Sequence, residues 1–176
     1  MQPAASLELV LHSRGDTRRL GLRLAACLAP GDLVLLEGDL GAGKTYLARA
    51  IARGMGVPTE IRITSPTFDL VHDLPARLPL LHVDLYRLDD ASSLTDLGLT
   101  ERIGADAIVL IEWGLRFARA LGGEGISLSL RAAAGVTRYC RIDAHGERGL
   151  QLLERLKQSL LERSLHGRAC SEQARI

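Results

Sequence analysis

Lysine is almost missing from this chain. Of the 22 lysines and arginines only Lys44 and Lys157 are lysine. The excess of arginine is read as a codon-composition bias rather than an RNA-binding signature. The net charge is only +1, which gives no bulk attraction to nucleic acid or membrane. Cysteine is sparse too. Cys27, Cys140 and Cys170 are odd in number and far apart, which fits neither a disulfide framework nor a metal cluster. No apolar run approaches the roughly 20 residues that span a bilayer. The first residues, Met1 to Ser6, lack the basic stretch and apolar run of a secretory leader. A reduced, cytoplasmic protein is expected. There is no repeat, low-complexity linker or second domain. The 176 residues are 47% hydrophobic, enough for one core. One domain is expected over 1–165, with a disordered tail over 166–176.

What is present centres on Gly38-Asp39-Leu40-Gly41-Ala42-Gly43-Lys44-Thr45. Two glycines five apart, then lysine and a hydroxyl residue, form the phosphate-loop pattern. Where lysine is so scarce, a chance fit to a pattern that demands one is rare. The apolar run Leu33–Glu37 reads as a buried strand entering the loop, and Tyr46–Arg53 as a helix leaving it. The glycines let backbone amides from Leu40 to Thr45 turn toward an anion, and the helix N-terminus adds attraction. Lys44 is expected at the β- and γ-phosphates of a bound nucleotide, and Thr45 at a magnesium ion.

The rest of the chain reads as an α/β fold. Leu7–Leu11 is expected as a first strand. A helix follows, capped by Asp16 or Thr17, with Leu20, Leu24, Ala25 and Leu28 on its apolar face. Ile61–Thr64 is short and β-branched, and Phe68–Asp73 reads as a strand. Between them, Ser65-Pro66-Thr67 has two readings: an ordinary proline turn, or a switch segment near the γ-phosphate. Leu80–Asp84 and Ala107–Glu112 are apolar strands that each end in a carboxylate. In parallel sheets ligands lie beyond the strands' carboxyl ends, so Asp84 and Glu112 are expected to face the phosphates. One would accompany magnesium and the other position a water or second ligand, although Asp84 also suits a strand-end turn. His82 reads as a packed core histidine. Arg87 reads as a phosphate or partner contact, or a surface pair. Trp113 either packs, covers the site or meets a partner. Asp89–Leu97 suggests a short helix, with Thr100 capping another. Ile126–Leu130 and Tyr139–Ile142 read as paired antiparallel edge strands, and Gly149–Ser164 as a terminal amphipathic helix. The expected architecture is a phosphate-loop NTPase sheet, mostly parallel at its centre, with antiparallel edge strands and flanking helices.

In order and spacing, Gly38–Thr45, Ser65-Pro66-Thr67-Phe68, His82-Val83-Asp84-Leu85-Tyr86-Arg87-Leu88 and Ile111-Glu112-Trp113 together resemble the TsaE (YjeE) family. These are phosphate-loop ATPases of bacterial tRNA threonylcarbamoyladenosine biosynthesis. The resemblance runs from Leu7 to Leu160 and implies the following. Asp39 to Thr45 bind ATP, Thr45 and Glu112 ligate Mg2+, and Asp84 lies near the metal and the hydrolytic water. Lys44, Asp84 and Glu112 are thereby the catalytic set. Ser65 and Thr67 form the switch, while Thr17 and Arg138 join the nucleotide site. The family binds TsaB and TsaD, and TsaD transfers threonylcarbamoyl to adenosine 37 of tRNAs reading ANN codons. ATP hydrolysis resets that complex, and tRNA contact belongs mainly to the partners. The subunit alone is implied to be a monomer. Two departures are visible. Gly114 stands where many members have proline, and the chain after Leu150 is longer than the family core. The residues alone also admit a small-molecule or nucleotide kinase, or a nucleotide-gated scaffold that does not hydrolyse.

Overall fold

The two most apolar strands are buried on both faces, and they define the centre. β2 (Leu33–Glu37) and β5 (Ile108–Glu112) alternate between two cores. Val34, Leu36, Ile108 and Leu110 point into the larger one, whereas Leu33, Leu35, Val109 and Ile111 point into the other. A continuous apolar run is what a strand covered on both sides requires.

The computed structural model describes residues 3–172. The remaining strands are β1 (Ala5–Leu11), β3 (Val71–Leu74), β4 (Leu80–Asp84), β6 (Gly125–Ala132) and β7 (Arg138–His145). They form one seven-stranded sheet in the order β1-β7-β6-β2-β5-β4-β3. The neighbours β6, β2, β5 and β4 pair in parallel. β1, β7 and β3 pair antiparallel with their neighbours. The expected parallel centre with antiparallel edges is therefore present. β6 is not an edge strand, however: it joins β2, and β1 closes that side.

Helices α1 (Arg14–Cys27), α2 (Lys44–Gly54) and α5 (Gly146–Glu172) cover the larger core. The short helices α3 (Ser93–Asp96) and α4 (Leu99–Arg102), with a 3-10 turn at Leu115–Phe117, cover the other. α1 and α2 pack closely because Gly21 has no side chain: a Cβ there would stand 2.5 Å from that of Ala50. No helix among the described residues is long and apolar enough to cross a membrane.

Several expected boundaries move. The cap of α1 is Ser13, not Asp16 or Thr17. Its hydroxyl accepts from the Asp16 amide at 3.1 Å and donates to the Asp16 carboxylate at 2.9 Å. Ile61–Thr64 is not a strand, because arginines rather than a neighbouring strand take its carbonyls. Arg49 binds the Ile63 carbonyl at 3.0 Å and Arg53 the Ile61 carbonyl at 2.6 Å. The strand expected at Phe68 starts only at Val71, since Leu70 turns the chain at φ 61°. The helix expected over Asp89–Leu97 is confined to Ser93–Asp96, and α4 is capped by Gly98 rather than Thr100. Helical backbone in α5 runs on from Ser164 to Glu172, across the first part of the expected tail. Positions 173–176 lie outside the described residues.

Asp32 fastens α5 to the base of the sheet. Its carboxylate is 2% exposed and accepts from Arg148 at 3.1 Å, Arg155 at 3.0 Å and the Ala29 amide at 2.9 Å. Both arginines stay about 40% exposed and would regain water if Asp32 were removed. Asp32→Ala is therefore expected to cost about 2 kcal/mol, below the range for breaking a fully buried pair. Urea denaturation measures it, and a midpoint equal to wild type would show that the cluster adds nothing to stability.

Candidate functional site

β2 ends at Glu37 and the chain turns at once through Gly38 toward α2. A side chain at 38 is excluded: its Cβ would lie 2.2 Å from the carbonyl of Leu130. At the far end of the loop Gly43 holds φ 113° and caps α2 without a side-chain hydrogen bond. The first-turn amides of α2 are thus left to an external acceptor, the arrangement that attracts anions. Lys44 starts the helix and folds back over the loop. Its ammonium donates to the carbonyls of Gly38 at 2.6 Å and Asp39 at 3.0 Å, and lies 3.8 Å from the centre of the Trp113 ring. Burial lowers its pKa, and the carboxylates of Glu112, Glu37, Asp84 and Asp39 oppose that shift. Burial also raises the pKa of Glu37, which accepts from the Leu115 amide at 2.6 Å.

Asp84 and Glu112 are register partners at the carboxyl ends of β4 and β5. Both are buried. Glu112 Oε2 accepts from the Thr45 hydroxyl at 2.8 Å, and Oε1 lies 3.0 Å from His82 Nε2. Asp84 Oδ2 accepts from the hydroxyls of Ser65 and of Thr67, the latter at 3.1 Å. Asp84 Oδ1 accepts from the Tyr86 amide at 2.9 Å. The hydroxyl pair around Pro66 therefore reaches into the site rather than merely turning the chain. Among the described residues, only Leu70 (φ 61°) and Trp113 (φ 62°) take positive φ without being glycine. Both border the site, where strained backbone commonly collects.

Two cavities meet at the loop. One, of about 340 Å³, is lined by Lys44, Thr45, Ser65, Thr67, Asp84, Glu112 and Trp113 among others. The second, of about 420 Å³, is lined by Arg14, Thr17, Gly41–Gly43, Tyr46, Val136 and Arg138. Arg138 donates to the Ala42 carbonyl at 2.9 Å. The sequence-selected residues thus fall into two groups, with Leu40 at the first cavity, Ala42 at the second, Gly41 and Gly43 shared by both, and Asp39 in the loop outside either lining. Arg87 is not among them: it stacks 4.4 Å from the centre of the Phe68 ring, outside both cavities. Tyr46, Arg14, Glu37 and the His82–Glu112 contact were missed by sequence reasoning. For His82 a signal existed, since period two puts it on the same face as Asp84.

The donor set suits magnesium. Thr45, Ser65, Thr67, Asp84 and Glu112 offer only oxygen. Among the described residues no three His, Cys, Asp or Glu side chains converge as a metal cage. Magnesium is commonly held by one or two carboxylates plus phosphate oxygens and water, which is the kind of partial set present here.

Comparison with known proteins is consistent along the chain. Residues 11–140 match the family model described as threonylcarbamoyl adenosine biosynthesis protein TsaE. Among similar curated proteins, the tRNA threonylcarbamoyladenosine biosynthesis protein TsaE of Treponema pallidum is 38% identical over 128 residues, covering 73% of this chain and 93% of the relative. The Bacillus subtilis protein of the same name is 36% identical over 144 residues, covering 81% of this chain and 89% of the relative. The crystal structure of Bacillus subtilis YdiB superposes with a TM-score of 0.72 at 30% identity, covering 88% of this chain and 95% of that one.

Trp113 is the single tryptophan and carries the Lys44 ammonium on its ring. An anion in the loop that draws Lys44 away should alter indole emission. Adding ADP is expected to change the fluorescence of wild type, whereas Lys44→Met is expected to show altered emission before any nucleotide is added. Identical spectra for the two nucleotide-free proteins would mean that the contact does not persist in solution.

Proposed function

This chain belongs to the TsaE family of tRNA threonylcarbamoyladenosine biosynthesis proteins, and from that footing we propose that it is a magnesium-dependent ATPase that binds a TsaB–TsaD complex. In that setting it supports formation of threonylcarbamoyladenosine in tRNA. The observation that carries the ATPase reading is the Thr45–Glu112 contact of 2.8 Å beneath the uncapped start of α2, with Asp84 one strand away.

The roles follow from the positions. The loop amides and α2 bind the β- and γ-phosphates of ATP. Lys44 exchanges its two carbonyl partners for phosphate oxygens and meets the charge that grows there. Thr45 and Glu112 hold magnesium, which when bound neutralises charge on the phosphate oxygens. Asp84, steadied by Ser65 and Thr67, orients the water that attacks the γ-phosphorus in line with the departing ADP oxygen. Thr17, Arg138, Arg14 and Tyr46 border the space for the base and ribose.

Two features support a partner. No arginine lines the phosphate-side cavity among the described residues, so a stimulating cation has to come from elsewhere. Around the same mouth Leu40 (87% exposed), Phe68 (82%), Tyr86 (53%) and Leu115 (40%) present apolar surface to solvent. Arg87, stacked on Phe68 and next in the chain to Tyr86 of the cavity lining, is the internal candidate for the cation.

Steady-state ATP hydrolysis, alone and with purified TsaB–TsaD, tests this reading. Stimulation by the partners is expected, with a loss of about 100-fold or more in Glu112→Gln. Equal rates with and without partners would overturn the partner-gated reading. Unchanged stimulated turnover in Arg87→Ala would assign the cation to the partner complex.

A further inference from the structure

His82 is wholly enclosed in the sheet, 0% exposed. Its only polar contact among the described residues is Nε2 to Glu112 Oε1 at 3.0 Å, and Nδ1 has no hydrogen-bond partner. An ionised carboxylate can only accept, so the shared proton belongs to Nε2. The other nitrogen is then an acceptor lone pair without a donor, which costs free energy in a buried place. Packing does not call for such a residue. Its register neighbours are Leu110 on β5 and His72 on β3, and Leu80 precedes it on the same face of β4; none of them hydrogen-bonds the ring, so an aliphatic side chain would fill the place without an orphaned nitrogen. The imidazole is tolerated despite an orphaned nitrogen, and what it provides in return is a single donor aimed at Glu112.

The structure assigns His82 as a positioning residue for Glu112. A glutamate at a strand end has three torsions to fix. Pinning Oε1 from behind leaves Oε2 as the oxygen presented to Thr45 and to a cation beside it. His82 touches neither nucleotide nor metal, and acts through the carboxylate it holds. Outer hydrogen bonds of this kind typically govern metal affinity by about 10- to 100-fold. The inference rests on the reading that Glu112 and Thr45 hold magnesium.

The test measures ADP affinity in EDTA and in magnesium, for wild type, His82→Leu, His82→Gln and Glu112→Gln. The readout is the gain in affinity that magnesium brings. His82→Leu is expected to bind ADP in EDTA like wild type and to lose about 10-fold or more of the magnesium gain. His82→Gln places an amide donor near the position of Nε2 and is expected to retain most of the gain. If His82→Leu keeps the full gain while Glu112→Gln loses it, the role of His82 is overturned and the metal reading stands. If Glu112→Gln also keeps the gain, the metal reading itself fails. Equal losses in Leu and Gln would reduce His82 to a packing role and overturn the inference. Should His82→Leu not fold, the nitrogen chemical shifts of His82 in wild type decide: protonation at Nε2, with and without magnesium and ADP, supports the assignment, and protonation at Nδ1 overturns it.

Discussion

Asp84 stands beside Glu112 because β4 and β5 pair in parallel without a slip, and the site depends on that register. Side chains alternate along each strand. Leu80, His82 and Asp84 thus share a face with Ile108, Leu110 and Glu112, the face that α2 covers. A shift of one residue in either strand would drive a carboxylate into the second core among Val83, Val109 and Ile111. The unbroken apolar runs on both faces make such a slip costly. The polar chemistry at the strand ends is therefore held in place by hydrophobic packing several residues earlier.

The site also shows how buried charge is managed. Lys44 and two carboxylates lie buried within one small region, yet each has partners from the chain itself. The ammonium takes loop carbonyls and the indole face of Trp113. Asp84 takes two hydroxyls and an amide, and Glu112 takes a hydroxyl and an imidazole. These contacts satisfy the buried groups without cancelling their charge, because most of the partners are neutral dipoles.

The strongly periodic parts of the fold were legible in the sequence. Leu33–Glu37 and Leu80–Asp84 fall on the expected residues, because a fully buried strand leaves an apolar run with a polar stop. The segment from Ile61 to Leu70 was not legible. Its conformation depends on arginines of α2 that reach carbonyls and on a leucine in a left-handed turn, and neither leaves a local pattern. In the site, the loop and both carboxylates could be read from residue type and strand position. The contact between His82 and Glu112 joins two strands, so its partner could not be read from β4 alone. Arg87 shows another limit: its charge left a phosphate contact, a partner contact and a surface pair open, and its stacking on the Phe68 ring could not be read from the sequence around it.

The arginines of α2 have a mechanical consequence. The helix begins at Lys44 in the phosphate loop and ends near Arg53, whose guanidinium grips the carbonyls of Val57, Pro58 and Ile61. Arg49 grips Ile63, two residues before Ser65. The chain thus leaves the loop along a rod about 16 Å long, is tied to the rod's far end, and returns along its flank to the cavity where it started. Loop, helix and hydroxyl segment form a closed linkage, so a displacement of α2 at Lys44 would pull, through the same arginines, on the segment that carries Ser65 and Thr67.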